Sequence, residues 1–292
     1  MKYEAFDRLP FVSSVLHPTD FSAASERAFA YALAISLIRQ TEFTILHVHS
    51  DKRSEVDWTR FPPVREILER WGLLEAGSPR SAVFEKFRTR VEKVAINSRN
   101  PGHAAVKYLD AHPADLIVMA TEGRSGVSGA IDRSIAESIA GWSQTMTLFV
   151  PGKAQRGLVS LADGNLSLRN ILIPIDHQPK PTAAIEFARR AAETIGEDAV
   201  TITLLHVGDS PMTIAGLEDG TNWSWRSEHR QGDVVEQICD VADEIAADLL
   251  VMTTAGYDGV RDVISGNTTE QSVRRSRCPV LAVPAKYSNV TY

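Results

Sequence analysis

Cysteine is scarce in this sequence, and the two that occur, Cys239 and Cys278, share no C-x-x-C spacing. We therefore predict neither a disulfide framework nor a zinc ribbon, and we expect two buried thiols in a reducing compartment. An excess of basic residues is also missing, because 31 Lys and Arg residues stand against 37 Asp and Glu residues, a formal net charge of −6. This balance argues against a nucleic-acid partner, which requires a basic surface.

Long hydrophobic runs are absent as well. No segment approaches the roughly 18–20 consecutive apolar residues that span a bilayer, so no membrane partner is expected. The segment Met1–Pro10 carries two acidic residues and lacks the apolar centre of a signal peptide. A cytoplasmic location is the expectation. The G-x-S-x-G elbow of serine hydrolases does not occur either, so that class of enzyme is not predicted.

The sequence does contain a long internal repeat. Four short segments recur in the same order in both halves, and the first pair reads V-L-H-P-T-D at Val15–Asp20 and I-L-I-P-I-D at Ile171–Asp176. The other pairs are Phe43–Val48 with Ile202–Val207, Ala114–Met119 with Ala247–Met252, and Thr147–Gly152 with Val280–Ala285. The period is far longer than that of a solenoid, so the repeat indicates a duplicated domain.

The spacing of the pairs locates an insertion. The first two pairs are offset by 156 and 159 residues and the last two by 133, so the first half holds 26 extra residues between its second and third segments. They fall within Asp51–Arg90, where Glu66–Leu74 and Ser81–Val94 are predicted to be helical. We expect domains at residues 1–152 and 169–292, with a linker at 153–168. Asp163-Gly164 in the linker indicates either a hairpin turn or a polar loop.

Each repeated segment is short, apolar and often β-branched, as is typical of a strand buried on both faces of a parallel sheet. Helical periodicity lies between them, at Ser25–Arg39, Gly102–Ala111, Pro181–Ile195 and Asp233–Ala246. The alternation predicts βαβ units and an α/β fold, with two tandem sandwich domains of about five strands each. Thr147–Val150 and Val280–Val283 are candidates for pairing with each other, which would cover two sheet edges and pack the domains as a pseudo-dimer.

The carboxyl ends of parallel strands are where ligands bind in such sheets. Asp20 and Asp176 each end the first strand of a half. Glycine turns follow the third repeated segment, with Gly123 and Gly126 in the first half and Gly256 and Gly259 in the second. A glycine turn leading into a helix presents free backbone N–H groups to an anion. A plain strand-to-helix turn explains the same residues, and the spacing alone does not decide between them.

L-H-P-T-D-F-S, the strand-end L-H-V, A-D-L-I-V-M, the glycine turn and the closing V-L-A-V-P resemble the universal stress protein family. The resemblance covers both halves except the insertion, the linker and Asp209–Arg230. It implies a five-stranded parallel sheet of the adenine nucleotide alpha hydrolase-like class in each half. It also implies ATP or AMP as the ligand, with Mg²⁺ bound only together with the nucleotide.

The ATP-binding members of that family carry G-x2-G-x9-G-[ST] after the V-M strand. The first half reads Ala120-x2-Gly123-x9-Arg133-Ser134, and the second reads Thr253-x2-Gly256-x9-Gly266-Asn267. The resemblance assigns adenine and ribose contacts to the first-strand and second-strand ends, and ribose and phosphate contacts to the glycine turns. The nucleotide-binding candidates are therefore Pro18, Thr19, Asp20, Val48, Met119, Ala120, Gly123, Gly126, Arg133, Ser134, Asp176, Val207, Met252, Gly256, Gly259, Gly266 and Asn267.

Both motifs depart from the family's pattern. Ala120 adds one methyl where a backbone must approach the ligand, and the β-branched Thr253 adds more, so the first half is expected to be the better site. Arg133 replaces a glycine and could either pair with a phosphate or fill the phosphate site itself. Asn267 replaces a hydroxyl, although its amide can still donate to a phosphate.

Other chemistry-bearing residues have simpler explanations. His47 and His49 lie two apart on a strand end, and because His206 matches His47 in the repeat we interpret His47 as structural, not as a metal ligand. Trp223 and Trp225 could stack on a base, but a strand with alternating aromatic residues is the preferred interpretation.

Three functions remain open at this point. The first is a stress-response signalling protein that binds adenine nucleotide in at least one half, without catalytic residues. The second is an interaction protein that has lost its nucleotide and acts through an unknown protein partner. The third is a slow nucleotide hydrolase, for which no general base near the glycine turns gives support. A homo-oligomer is compatible with each of them.

Overall fold

The structure is a computed structural model that describes residues 12–39, 41–50, 55–121, 145–152, 157–196, 199–255 and 268–289. Contacts divide the chain into two compact units. The first unit comprises Met1–Thr145 with Val159–Asn165, and the second comprises Met146–Leu158 with Leu166–Tyr292.

The first unit is built on four parallel strands in the order β3-β2-β1-β4. These strands are β1 (Ser14–Thr19), β2 (Glu42–His49), β3 (Arg90–Asn97) and β4 (Leu116–Ala120). The helices between them are α1 (Ala23–Arg39), α2 (Val64–Arg70), α3 (Ala82–Phe87) and α4 (Pro101–Ala111). The central strand β1 is buried along most of its length, as its apolar run predicts.

The second unit contains the same arrangement of four parallel strands and two further strands. Its strands are β5 (Met146–Val150), β6 (Asn170–Pro174), β7 (Val200–Val207), β8 (Trp223–Arg230), β9 (Leu249–Thr254) and β10 (Val280–Pro284). Its helices in the described residues are α5 (Thr182–Ile195), α6 (Val234–Glu244) and α7 (Thr268–Arg275). The strand order is β5-β10-β9-β6-β7-β8, and all of these pairs are parallel except β5 with β10.

The strand pairings follow the sequence repeat. Val15 lies opposite Leu116, and Ile171 lies opposite Leu249, so β1 and β6 hold equivalent central positions in their sheets. β5 and β10 pair antiparallel, with Val280 opposite Phe149, which confirms the predicted pairing of the two closing strands. By its contacts β5 belongs to the second unit, although the repeat counts it with the first half.

An aspartate fixes the starting edge of each sheet. Asp115 Oδ2 accepts hydrogen bonds from the backbone N–H groups of Ser13 and Ser14, at 2.7 and 3.1 Å. Asp248 Oδ2 accepts from Arg169 and Asn170 in the same way, at 2.8 and 2.9 Å. The aspartate of the A-D-L segment therefore binds the start of the neighbouring strand and belongs to the scaffold.

The insertion of the first half departs from the sequence prediction at its end. The helix predicted over Ser81–Val94 is wrong beyond Phe87, because Arg88 is left-handed, with φ 57°, and the strand β3 begins at Arg90. β3 pairs with the full length of β2, and this tertiary pairing outweighs the helical propensity of the segment. The predicted helix at Glu66–Leu74 is present but lies earlier, at Val64–Arg70.

The structure also decides two further alternatives. The Trp223–Arg230 segment is a strand, which confirms the preferred interpretation of its tryptophans, and Trp225 Nε1–H donates to the Glu218 carbonyl at 2.8 Å. The Asp163-Gly164 segment is the hairpin turn of the two alternatives, since Ser160 N–H donates to the Asn165 carbonyl at 2.9 Å and Ser167 N–H donates to the Leu158 carbonyl at 3.0 Å.

None of the helices in the described part of the chain combines the length and the apolar character that crossing a bilayer requires.

We predict that Asp248→Ala lowers the free energy of unfolding by about 2 kcal/mol, because two backbone donors lose a charged acceptor. Asp248→Asn should cost less, since a neutral oxygen can still accept. Chemical denaturation measures both changes. The control is Asp240→Ala, which removes the same charge from an exposed position of α6. Equal losses in Asp248→Ala and Asp240→Ala would contradict the structural role.

Candidate functional site

The carboxyl edge of the first sheet gathers the described candidates of the first half. Pro18 and Thr19 end β1, and Asp20 follows them. Val48 lies near the end of β2, and Ala120 ends β4 after Met119. Because the strands are parallel, these residues meet at one edge, as the sequence predicted. The remaining candidates of this half, Gly123, Gly126, Arg133 and Ser134, lie outside the described residues.

The turn after β1 has an unusual backbone. Phe21 adopts a left-handed conformation with φ 62°, which is uncommon for a residue other than glycine. Two side chains hold it there, since Thr19 Oγ1 accepts from Phe21 N–H at 3.1 Å and Asp20 Oδ1 accepts from Ser22 N–H at 2.9 Å. Asp20 is half-buried, and its carboxylate already accepts a hydrogen bond within its own turn.

Phe21 stacks on the histidine at the end of the neighbouring strand. The ring centroids of Phe21 and His47 are 4.0 Å apart, with an interplanar angle of 15°. His47 also donates its Nδ1–H to the Thr19 carbonyl at 2.7 Å. These contacts give His47 the structural role that the sequence suggested. Among the described residues no three His, Cys, Asp or Glu side chains are grouped as a metal site.

Two rings from the insertion complete an aromatic cluster on this edge, which comprises Phe21, Phe29, His47, Trp58 and Phe61. Phe61 is 0% exposed, and its ring lies 4.7 Å from that of Phe29 and 5.6 Å from that of Phe21. Trp58 meets Phe21 edge-on at 5.6 Å. The insertion therefore covers the carboxyl ends of β1 and β2 with its own side chains.

A buried histidine lies beneath this cluster. His17 is 0% exposed, and its Nδ1–H donates to the Val118 carbonyl at 2.8 Å. The Ser25 hydroxyl lies 3.2 Å from His17 Nε2 and 2.7 Å from Thr19 Oγ1. Burial lowers the pKa of His17 to about 4, against the raising effects of the Val118 hydrogen bond and the Asp20 charge. The imidazole is therefore neutral in the folded protein at neutral pH.

The second unit brings its own candidates to the equivalent edge. Asp176 follows β6 and is exposed, Val207 ends β7 and is half-buried, and Met252 and Thr253 lie in β9. The turn candidates Gly256, Gly259, Gly266 and Asn267 lie outside the described residues.

Two contacts on this edge bear on ligand binding. His206 donates its Nδ1–H to the Ile175 carbonyl at 3.1 Å, the same role that His47 has in the first unit. The Thr253 hydroxyl accepts a hydrogen bond from the backbone N–H of Ala184 in the first turn of α5, at 3.2 Å. Thr253 is thus connected to the helix that follows Asp176.

A cavity of about 370 Å³ lies beside Asp176. Its volume is within the range of small-molecule sites, roughly 300–1,000 Å³. The lining is largely aliphatic, and it consists of Asp176, His177, Lys180, Pro181, Thr182, Ile185, Met212, Ile214 and Leu217.

Sequence reasoning missed the rings that cover the carboxyl edge of the first unit, and all the residues that line the cavity of the second unit except Asp176. The pattern Trp58-x-x-Phe61 within the insertion was visible in the sequence, but nothing local shows which surface these rings cover. In the structure Met212, Ile214 and Leu217 are half-buried and lie between exposed residues. In the sequence their spacing is only a weak signal of a half-buried segment.

Comparisons with known proteins are consistent with this architecture. The family model described as "Universal stress protein family" matches residues 12–151 and 217–284. A universal stress protein of Synechocystis sp. is 24% identical over 147 residues, which cover 44% of this chain and 94% of that protein.

Two solved structures match nearly the whole chain. A universal stress protein from Archaeoglobus fulgidus has a TM-score of 0.63 at 20% identity, covering 95% of this chain and 98% of that one. A putative universal stress protein from Pseudomonas aeruginosa has a TM-score of 0.60 at 14% identity, covering 95% of each chain. At these identities the likeness shows the fold.

The neutral buried His17 predicts a loss of stability in acid. Its folded pKa of about 4 lies below its ordinary 6.5, so the unfolded chain takes up a proton as the pH falls below about 6.5 and the folded chain does not. We expect this difference to cost about 2 kcal/mol at pH 5 relative to pH 7. Denaturation at the two pH values measures it.

The matched variant is His17→Ile, because the repeat places Ile173 at the same position of the second half. It should lose clearly less stability than the wild type between pH 7 and pH 5. His103→Gln, at an exposed position, is the control and should behave as the wild type does. An unchanged pH dependence in His17→Ile would show that another group is responsible.

Proposed function

Because the chain belongs to the universal stress protein family, we propose that it binds an adenine nucleotide, ATP or AMP, in one of its two halves. Binding would serve stress-response signalling in the cytoplasm, with little or slow hydrolysis. Mg²⁺ would enter only with the nucleotide phosphates. No membrane or nucleic-acid partner is part of the proposal.

The supporting observation is the exposed carboxylate of Asp176 beside a cavity at the carboxyl edge of a parallel sheet. This edge is the usual location of ligands in such sheets. A carboxylate at that place can accept hydrogen bonds from ribose hydroxyls or from an exocyclic amino group. Lys180 at the same cavity supplies a positive charge for an anionic ligand.

The second half is the better candidate, which reverses the order expected from the glycine motifs. In the first half Asp20 is half-buried and its Oδ1 accepts from Ser22 N–H, and the insertion places Phe61 against the turn that follows it. In the second half Asp176 Oδ1 likewise accepts a hydrogen bond, from His177 N–H at 2.6 Å, but Asp176 is exposed. We weight an accessible acceptor more heavily for binding than the larger side chain of Thr253 at the first position of the motif.

A second function is favoured by a different observation. The hydroxyl of Thr253 already accepts a hydrogen bond from Ala184 N–H, and in the other half rings of the insertion cover the carboxyl ends of β1 and β2. A chain in which neither half accepts a nucleotide would act as an interaction protein. Hydrolysis remains a third alternative, and turnover above roughly 1 s⁻¹ would support it.

We predict that Asp176→Ala weakens AMP or ATP binding by about ten- to a hundredfold, because a charged acceptor contributes roughly 1.5–3 kcal/mol. Asp20→Ala should leave the affinity within about twofold. Titration of the purified full-length chain with labelled AMP and ATP measures both variants.

The equivalent positions of Asp20 and Asp176 make each variant the control of the other. A loss of affinity in Asp20→Ala with none in Asp176→Ala would identify the first half as the site. The absence of binding by the wild type at millimolar nucleotide would refute the proposal and favour the interaction protein.

A further inference from the structure

The outer strand of each sheet presents backbone groups on the side away from its neighbour. β3 lies at one end of the strand order of the first unit, and β8 lies at one end of that of the second. Arg90 donates its N–H inward, to the Thr41 carbonyl at 3.2 Å. Because these directions alternate along a strand, the N–H groups of Val91, Lys93 and Ala95 point outward.

The second unit covers the start of β8 with an acidic segment of its own chain, Glu218–Gly220. Asp219 Oδ1 accepts a hydrogen bond from Trp225 N–H at 2.8 Å. Gly220 N–H donates to the Trp223 carbonyl at 3.0 Å. Outward-pointing backbone groups of β8 are therefore bound by a carboxylate and a main-chain amide of the same chain.

The repeat shows which N–H of the first unit is the counterpart. Phe43 and Ile202 are equivalent in the repeat. Val91 lies opposite Phe43, and Trp225 lies opposite Ile202 in the same way. The outward N–H of Val91 thus corresponds to the N–H that Asp219 binds in the second unit. In the described part of the chain, no acceptor contacts the Val91 N–H.

The open edge is basic where the second unit is neutral. In the same register Arg90 corresponds to Ser224, and Lys93 corresponds to Ser227. Residues 80–93 contain five basic and two acidic side chains, although the whole chain has a net charge of −6. None of the five basic side chains forms an ion pair within the described ranges.

An exposed ring holds two of these cations in place. Arg88 and Arg90 lie with their Cζ atoms 5.8 and 5.5 Å from the centroid of the Phe84 ring. Phe84 is 41% exposed, so a partner can reach both the ring and the guanidinium groups. Contact with the ring restricts the two long side chains and leaves their N–H groups available for carboxylates.

The environment of Lys93 shows that the positive charge of this edge is not compensated. Its Nζ lies 5.1 Å from the centroid of the Trp58 ring. Partial burial and the nearby charge of Arg80 lower the pKa of Lys93 below its usual value, since both disfavour the cation. A carboxylate beside Lys93 would act in the opposite direction, so this edge favours an acidic partner.

We propose that the outer side of β3 binds an extended acidic segment of a partner protein. The main chain of the segment pairs with the outward groups of Val91, Lys93 and Ala95, as an added strand does at a sheet edge. Its carboxylates bind Arg88 and Arg90. A nucleic acid has the charge but lacks the peptide groups for this pairing, and a basic strand is repelled. None of these residues belongs to the nucleotide candidates, so the inference goes beyond the proposed function.

The test measures the fluorescence anisotropy of labelled probes titrated with the full-length chain. The first probe is an eight-residue peptide of alternating Glu and Thr. The second replaces each Glu by Lys. The third is the first peptide with every peptide nitrogen methylated, which keeps the charge and removes the main-chain donors. The fourth is a short oligothymidylate.

Three variants separate charge from main-chain pairing. The double variant Arg90→Ser with Lys93→Ser gives β3 the serines of the second unit. The control, Lys107→Ser with Arg275→Ser, removes the same charge from exposed positions of two helices. Ala95→Pro removes one outward N–H and keeps the hydrogen bonds to β2. Circular dichroism checks that each variant is folded.

We expect the Glu–Thr peptide to bind the wild type and the control variant equally. Its affinity should fall about tenfold in the double serine variant and about fivefold in Ala95→Pro. The Lys–Thr peptide and the methylated peptide should bind the wild type at least tenfold more weakly than the Glu–Thr peptide does.

Other results overturn the inference. Equal affinity for the methylated peptide would show that charge alone attracts the probe, and tighter binding of oligothymidylate would identify a nucleic-acid surface. No binding of the Glu–Thr peptide at millimolar concentration, or an affinity equally low in the control variant, would show that β3 is not the site. A dimer in light scattering that Ala95→Pro dissociates would assign this edge to a second copy of the chain.

Discussion

Parallel pairing of the central strand with both of its neighbours is the constraint on which the remaining structure depends. β1 lies between β2 and β4, and β6 lies between β7 and β9, with equivalent registers. Because parallel strands run in one direction, the acidic residues and histidines at their carboxyl ends lie at one edge of each sheet. The opposite edge is held by Asp115 and Asp248, whose carboxylates bind the first N–H groups of β1 and β6.

On this common framework the two halves differ in the side chains at the carboxyl edge of the sheet. The first half places a polar network beneath the edge, from His17 to Ser25 and Thr19, and closes it with aromatic rings. The second half has Ile173 and Ile175 where the first has His17 and Thr19, and leaves space beside Asp176. A buried polar network and a stack of rings give rigidity, whereas an apolar cavity with charged residues in its lining leaves room for a ligand.

The repeat explains why so much of the fold could be predicted from the sequence. Strands buried on both faces have an apolar signature, and its recurrence predicted the strands and their alternation with helices without any knowledge of tertiary contacts. The error at Ser81–Val94 has a physical cause, since β3 forms by pairing with the edge of β2, a contact far away in the chain. The cover over the first edge was unpredictable for the same reason, because the positions of Trp58 and Phe61 depend on packing against Phe21 and Phe29.

The covalent attachment of Phe61 has a thermodynamic consequence. A ring that belongs to the chain occupies its place at every solute concentration, so its contribution to the stability of the first unit does not depend on a ligand concentration. A free molecule bound by the folded state alone stabilises its host by RT ln(1 + [L]/Kd), which is about 2.7 kcal/mol when the ligand is present at a hundred times Kd. If a ligand binds reversibly in the second unit, the stability of that unit would depend on the ligand concentration. The contribution of the Phe61 ring to the stability of the first unit would not.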